Sequence, residues 1–278
     1  MGDTVYKIVT DQILDKLENG DIPWHKPWVS ESPKNLISKK EYRGINTFLL
    51  SLQKYNSPYW VSYKQAQELG GNVKKGQKST LVVFWKQVKI KDKENEESKT
   101  IPLLRYYRIF NVSQCEGFEN KIPAIDVNPG FQSIPACETT VSNMQKKPDI
   151  RNQDQRAYYS PLDDFVNMPN KESFGKVEFY YSTLFHELGH STGHKTRLNR
   201  KGLNTMAAFG STDYSKEELI AEMTAAFLCG QHRIEQSTID NSTAYIKSWL
   251  KVLKNDVKMV VVAAAQAQKA SDYILNKI

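Results

Sequence analysis

YYSTLFHELGHSTGHKTRL, residues 180–198, contains two histidines separated by three residues, with a glutamate directly after the first. On an α-helix, the fourth residue along is rotated by only about 40° and lies about 6 Å further up the axis. His186 and His190 can therefore bind one cation from the same helix. Glu187 can reach a water molecule bound at the open coordination position of that cation. Zinc lowers the pKa of such a water towards about 7, and a carboxylate beside it can pass the proton to a leaving amine. The pattern predicts a metal site of the kind that hydrolyses peptide bonds.

A third protein ligand is needed to complete a catalytic zinc site. His194 continues the four-residue spacing, but on a continuous helix it would lie about 12 Å from His186 along the axis, too far to share the ion. The stretch also lacks the metzincin spacing, in which the third histidine follows six residues after the second. We therefore interpret His194 as structural or as a residue at the rim of the site.

The next predicted helix, near residues 216–231, offers acidic candidates for the third ligand. Ser215 and Glu218 have capping-box spacing, which would occupy Glu218 at the helix N-terminus. We predict Glu222, one turn further along an otherwise small and apolar face, because a buried acid needs a partner. Glu218 stays the alternative ligand, and a buried lysine or arginine would be an alternative partner for Glu222. Two histidines and a carboxylate predict Zn²⁺, although ions such as Mn²⁺ or Co²⁺ suit the same ligands.

A strongly basic segment, residues 34–91, lies far upstream of the histidines. It contains twelve lysines and arginines but only two acidic residues, whereas the whole chain of 278 residues has a formal net charge of +7. Aromatic residues are interleaved with the basic ones: Tyr42, Phe48, Tyr55, Tyr59, Trp60, Tyr63, Phe84 and Trp85. Basic grooves with rings on which bases stack bind single-stranded nucleic acid without reading its sequence. Composition alone leaves open the alternative of a solvated basic surface above a core of buried rings.

Hydrophobic periodicity divides the chain into two domains. Residues 1–120 alternate between helix and strand patterns, with a capping box at Ser62 and Gln65 and a hairpin formed by TLVVFWKQVKIK and LLRYYRIFNV. Residues 121–133 include a Pro-Gly pair, show no sustained periodicity and are predicted to be a linker. Residues 134–278 begin with a short helix and a strand and turn, and continue almost entirely as helix. We predict an α+β fold, with an N-terminal α+β domain and a mostly helical C-terminal domain.

Composition excludes several classes of protein. The most apolar run, MVVVAAA, is far shorter than the roughly 20 residues that cross a bilayer, and the N-terminus lacks the pattern of a signal peptide. Cys115, Cys137 and Cys229 are widely spaced and predict neither a disulfide framework nor a Cys-pair zinc site. We expect a cytoplasmic protein with core thiols and no membrane partner.

Segments along most of the chain resemble one known family. IPWHKPW, YRGINTFLL, YWVSYKQAQELGGNVKKGQKSTLVVFWK and PLLRYYRIFNVSQCEG, followed by FHELGHSTGHKTRLNR and EELIAEMTAAFLCG, are similar to the ArdC-type antirestriction proteins of conjugative elements. The resemblance implies an N-terminal single-stranded DNA-binding domain and a C-terminal zincin-like metallopeptidase domain. It also implies a role in protecting incoming single-stranded DNA from host restriction. His186, Glu187 and His190 fall on the metal motif of the family.

Individual DNA contacts in the N-terminal domain are hypotheses. The candidate phosphate contacts are Arg43, Lys74, Lys75, Lys78, Arg105 and Arg108, and the candidate stacking rings are Trp60, Trp85 and Tyr107. The segment GGNVKKGQKS combines glycines with four potential donors, which is typical of a mobile loop that closes on a strand. Trp24 and Trp28 are interpreted as packed against the fold, and His25 as structural.

Two classes of function follow from these features. In the first, the protein is a DNA-binding shield whose zinc site is structural or only weakly active. In the second, it is a protease recruited to DNA, where it cuts restriction enzymes or other DNA-bound proteins. The basic aromatic segment disfavours a plain cytoplasmic peptidase without a DNA role.

Overall fold

A computed structural model describes residues 2–20, 22–24, 32–53, 55–91, 98–124, 133–200, 212–234 and 242–278. The chain divides into two compact units. Met1–Gln12 and Pro33–Ile125 form the first, and Ile13–Ser32 and Asp126–Ile278 form the second. The predicted α+β class is confirmed, but residues 13–32 group with the second unit, whereas the sequence assigned them to the N-terminal domain.

The first unit is built on a mixed four-stranded sheet. Its spatial order is β1 (Lys34–Asn35), β2 (Tyr59–Ser62), β5 (Ser98–Asn111) and β4 (Thr80–Lys91). β1 and β2 are parallel, whereas β5 is antiparallel to both of its neighbours. The predicted hairpin is present as β4 and β5, which pair in unbroken register from Thr80 opposite Ile109 to Lys91 opposite Ser98. A separate antiparallel pair joins β3 (Asn72–Val73) to β6 (Cys115–Glu116).

Two short helices, α2 (Ile45–Ser51) and α3 (Tyr63–Glu68), cover the two faces of this sheet, and the longer α1 (Gly2–Glu18) precedes them in the chain. α3 begins at the predicted capping box, because the Ser62 hydroxyl accepts from the Gln65 backbone N–H and the Gln65 side chain accepts from the Ser62 backbone N–H. Leu50 of α2 packs with Trp60, Val82 and Ile109 on one face of the sheet. Ala66 of α3 packs in a cluster with Val61 and Phe110 on the opposite face.

The second unit combines a small sheet with long helices. The sheet has the order β7 (Asp149–Arg151), β9 (Phe165–Asn167) and β8 (Tyr158–Ser160), so that β8 lies at an edge. The sequence predicts one strand and a turn in this region, and the structure has β8, a turn and a second strand, β9. The helices are α4 (Ser133–Asn143), α5 (Val177–Ser191), α6 (Thr212–His232), α7 (Ser242–Asn255) and α8 (Met259–Ile274).

α5 and α6 pack closely and form the centre of the second unit. Tyr181, Phe185, Leu188 and Leu228 are almost completely buried between these helices and their neighbours. Gly189 permits the close approach, because a Cβ atom there would lie 3.2 Å from the Ala221 Cα of α6. The packing brings the acidic residues of α6 beside the histidines of α5.

The remaining sequence predictions on buried residues can be checked in part. Cys115, Cys137 and Cys229 are free and buried, as predicted, and burial raises the pKa of Cys137 and Cys229 to about 12. Trp24 is 1% exposed and packs edge-on against Trp249, with 5.1 Å between ring centroids. His25, Trp28 and residues 125–132 of the predicted linker lie outside the described residues.

Within the described ranges, the helices are too short or too polar to cross a membrane.

Candidate metal centre and nucleic-acid surface

Side chains from α5 and α6 converge on one point in the second unit. The Nε2 atoms of His186 and His190 lie 3.1 Å apart. The Glu218 carboxylate lies opposite both rings, with Oε2 3.5 Å from the Nε2 atom of His186 and Oε1 3.5 Å from that of His190. Ligand atoms of these three residues all lie within 4.8 Å of one another. Two imidazole nitrogens and one carboxylate at this spacing are the donor set of a catalytic divalent-metal site.

The structure favours Glu218 over the predicted Glu222 as the third ligand. Glu222 contacts the other nitrogen of His186, with 2.9 Å between its Oε1 atom and Nδ1. A carboxylate in this position accepts the Nδ1 proton and leaves Nε2 free to bind a metal. The sequence analysis began this helix near residue 216, whereas α6 begins at Thr212. Ser215 therefore lies inside the helix, and Glu218 faces α5 instead of capping α6.

His190 has an equivalent carboxylate behind it. The Oε1 atom of Glu217 lies 3.6 Å from His190 Nδ1. Arg200 holds Glu217 with two hydrogen bonds, one of them from Nε to Oε2 at 3.1 Å. Arg200 also donates to the Thr192 hydroxyl at 2.6 Å and to the Gly189 carbonyl at 2.9 Å, which fixes it to the end of α5. Each histidine thus directs Nε2 towards Glu218 and Nδ1 towards a second carboxylate.

The charges around this site favour a bound cation. Glu187, Glu217, Glu218 and Glu222 are all buried, and Arg200 pairs with Glu217 alone among them. Burial lowers the pKa of His190, but Glu218 and Glu217 outweigh burial and raise it to about 9. Burial likewise opposes the charged form of His186, and Glu218 and Glu222 raise its pKa well above the usual value. The converging donor atoms and the excess of buried carboxylates fit a divalent ion.

Glu187, the predicted proton acceptor, follows His186 on α5, which contacts the edge strand β8. Burial raises the pKa of its carboxyl, while His186 and His190 lower it. The backbone N–H of Tyr159 in β8 also lowers this pKa. Glu187 therefore lies beside the candidate metal ligands without being one of the three converging residues.

His194 belongs to a different group of contacts. Its Nδ1 atom lies 2.8 Å from the Thr196 hydroxyl and 3.7 Å from Asp164. Arg197, whose side chain is 1% exposed, pairs with the same Asp164 and donates to the Ser191 carbonyl at 2.7 Å. The structural interpretation of His194 therefore fits its contacts, which tie the end of α5 to the β8–β9 turn.

Arg200→Gln is expected to weaken divalent-metal binding by about 10–100-fold, the usual effect of losing a residue that supports a ligand. The glutamine leaves the buried Glu217 without its cationic partner and His190 less firmly oriented. Competition with a chromophoric chelator measures the affinity, and Lys195→Gln, an exposed lysine nearby, is the matched control. Equal metal affinities for the two variants would contradict the role of Arg200.

The residues predicted to contact DNA lie in the first unit, and most are at its surface. The six candidate phosphate contacts are exposed: Arg43, Lys74, Lys75, Lys78, Arg105 and Arg108. Trp85 and Tyr107 are each 51% exposed. Trp60 is 2% exposed and packs edge-on against Tyr55, so its ring offers no face to a base and the predicted stacking role is wrong for this residue. Phe84 and Tyr106, which were not among the predicted stacking rings, are 46% and 45% exposed.

The strand register divides these residues between two faces of the β4–β5 hairpin. Side chains alternate along a strand, and directly paired residues share a face. The face that we call the Trp85 face carries Leu81, Val83, Trp85, Leu104, Tyr106 and Arg108. The opposite one, the Tyr107 face, carries Thr80, Val82, Phe84, Arg105, Tyr107 and Ile109. The predicted contacts Trp85 and Tyr107 therefore cannot stack on bases at the same surface.

Comparison with protein families gives a match in each part of the chain. Residues 3–110 match the N-terminal domain of anti-restriction factor ArdC. Residues 136–266 match a zincin-like metallopeptidase domain. The second match includes the histidines of α5 and the acidic residues of α6.

Individual relatives cover nearly the whole chain. The metal-free crystal structure of the antirestriction protein ArdC from plasmid R388 is 38% identical, with a TM-score of 0.81 over 97% of this chain and 96% of that one. Its Mn(II)-bound structure has a TM-score of 0.79 at 36% identity, over 98% and 97% of the two chains. Uncharacterized protein y4eC of Sinorhizobium fredii is 32% identical over 97% of this chain and 91% of its own length. A DNA primase TraC of Escherichia coli is 31% identical over 96% of this chain, which spans only 26% of that primase.

Proposed function

The chain belongs to the ArdC family of antirestriction proteins, and we propose that it protects the DNA of a mobile element by binding it as a single strand. In this proposal, the first unit binds single-stranded DNA and the second carries a divalent-metal site that protection does not require. Zn²⁺ is the proposed ion, and Mn²⁺ is the alternative that the metal-bound ArdC relative supports.

The exposed rings of the β4–β5 hairpin carry the DNA-binding proposal. Phe84, Trp85, Tyr106 and Tyr107 are all between 45% and 51% exposed, although aromatic side chains usually contribute to protein cores. Arg105 and Arg108 are interleaved with them on β5, and exposed lysines lie in the preceding loop. Such a surface can stack on unpaired bases of any sequence while the cations contact phosphates. A duplex offers no free base faces to these rings, so we expect single strands to be preferred.

The metal site supports a second function of the same protein. His186, His190 and Glu218 would hold the ion, and Glu222 and Glu217 would orient the two imidazoles. A bound divalent ion would supply Lewis-acid activation of water. Glu187 lies beside these ligands and is placed to accept and return a proton. These roles are those that a peptidase site requires.

A DNA-recruited metalloprotease is the alternative function, and the position of β8 favours it. β8 is an edge strand that contacts α5, and the Tyr159 N–H on this strand helps to lower the pKa of Glu187. An extended peptide can add to such an edge by backbone hydrogen bonds, which would place its carbonyl near Glu187. Restriction enzymes or other proteins bound to the same DNA would then be the substrates.

Glu187→Gln separates the two functions. The substitution removes the proton acceptor but keeps the size of the side chain and leaves the three ligands in place. We expect the variant to protect transferred DNA as well as the wild type does, measured as conjugative transfer into a restricting recipient relative to a non-restricting one. Loss of protection with DNA and metal affinities unchanged would establish the protease instead.

A further inference from the structure

The two faces of the β4–β5 hairpin differ in what surrounds them, and this difference selects one of them for DNA. We infer that single-stranded DNA lies on the Trp85 face and continues onto the lysine loop, residues 74–78. The inference rests on the proposed DNA-binding function. It adds Tyr106 to the contacts and removes Arg105 and Tyr107 from them.

The Trp85 face is continuous with the lysine loop. On this face, the Arg108 guanidinium lies 3.4 Å from the Ser79 hydroxyl, directly after the loop. The loop backbone is fixed to Gln114, whose carbonyl accepts from the Lys74 N–H and whose side chain donates to the Lys78 carbonyl, both at 2.9 Å. The loop is therefore held beside Arg108, while the exposed side chains of Lys75 and Lys78 extend the positive charge.

The rings on this face are available to bases. Trp85 and Tyr106 occupy diagonal positions, because Trp85 pairs with Leu104 and Tyr106 is two residues further along β5. Diagonal neighbours are about 7–8 Å apart, a spacing that suits rings stacking on nearby bases of one strand. Neither ring contacts another aromatic ring within the described ranges, and Trp85 and Tyr106 are 51% and 45% exposed.

The Tyr107 face is more occupied. Phe84 and Tyr107 contact each other edge-on, with 6.1 Å between centroids. α2 lies against the adjoining part of this face, where Leu50 packs with Val82 and Ile109. Among the described strand positions 80–85 and 104–109, Arg105 is the one basic residue on this face.

Two double variants compare the faces directly. Trp85→Ala/Tyr106→Ala and Phe84→Ala/Tyr107→Ala each remove two exposed rings from equivalent diagonal positions of the same hairpin. The probe is a fluorescein-labelled oligothymidine, and the readout is its anisotropy during titration with the full-length protein. We expect the first variant to bind about 30-fold more weakly or worse, because base stacking on two rings is lost. The second variant is expected to stay within about three-fold of the wild type, because its rings contact no base in this arrangement.

A second pair of variants tests the same inference without removing rings. Arg108→Gln is expected to reduce the slope of log affinity against log salt concentration by about 1, and Arg105→Gln is expected to leave it unchanged. Thermal unfolding of every variant verifies that it is folded. If a ring variant does not fold, the comparison of Arg108→Gln with Arg105→Gln tests the inference on its own. A larger loss from Phe84→Ala/Tyr107→Ala or Arg105→Gln, or equal losses from both faces, would overturn the inference. If the wild-type protein does not bind the oligonucleotide, the proposed function itself fails, and the inference fails with it.

Discussion

Glu218→Ala is expected to lower the affinity for a divalent ion by more than about 100-fold. Loss of a residue that only supports a ligand usually lowers metal affinity by about 10–100-fold. Glu218 is the carboxylate that lies opposite both Nε2 atoms, at 3.5 Å from each. Alanine leaves the two imidazoles as the only members of the converging set, and two ligands do not hold a catalytic ion firmly. Titration of the metal-free protein with Zn²⁺ or Mn²⁺ in the presence of a competing chelator measures this loss.

Glu222→Ala is the matched comparison for Glu218→Ala. It removes the same side chain one turn further along α6, where the carboxylate contacts His186 Nδ1. Its expected effect is the smaller one, about 10–100-fold, because the converging donor atoms all remain. A larger loss from Glu222→Ala than from Glu218→Ala would restore the original sequence prediction of the third ligand.

Gly71→Ala is expected to destabilise the first unit by about 3 kcal/mol or more, at the upper end of what overpacking costs. A Cβ atom on Gly71 would lie 2.0 Å from the Glu116 carbonyl oxygen and 2.6 Å from a ring carbon of Phe118. Neither neighbour can move easily, because Glu116 belongs to the β3–β6 pair and Phe118 is 1% exposed in the core. The same pair leads into the lysine loop, so DNA binding is expected to weaken as well.

Gly230→Ala provides the control for this steric effect. Gly230 lies near the end of α6, and a Cβ atom there would meet nothing within 4 Å. Alanine is the better helix former, so the expected change is between zero and about 1 kcal/mol of added stability. Circular dichroism during thermal unfolding compares the two variants. A melting curve for Gly71→Ala that coincides with that of the wild type would contradict the close approach at this position.

The parts of the fold that sequence predicted best depend on local geometry. The spacing of His186 and His190 sets both rings on one helix face regardless of what packs against it, and the two Nε2 atoms do converge. The capping box at Ser62 and Gln65 is likewise a contact between near neighbours in the chain. The β4–β5 hairpin follows from two long runs of β-branched and aromatic residues.

The site residues that sequence missed depend on contacts between distant segments. Choosing Glu218 over Glu222 requires the true start of α6 and its rotation against α5, and no local pattern fixes either. Arg200 lies in a segment without periodicity, 17 residues from its partner Glu217, and gives no signal of its own. Trp60 was misassigned because the composition of a basic segment does not show whether an aromatic ring in it is buried or exposed. The separation of Trp85 from Tyr107 required the register between two strands.

Fluorescence anisotropy of labelled single-stranded and double-stranded oligonucleotides, titrated with the full-length protein at several salt concentrations, tests the central claim most directly. The proposed function predicts tighter binding to the single strand, with an affinity that falls steeply as salt rises because phosphate contacts release counterions. It also predicts that removing the metal with a chelator leaves this binding unchanged. Absence of binding, or equal affinity for the duplex, would contradict the proposal that this protein acts by holding single-stranded DNA.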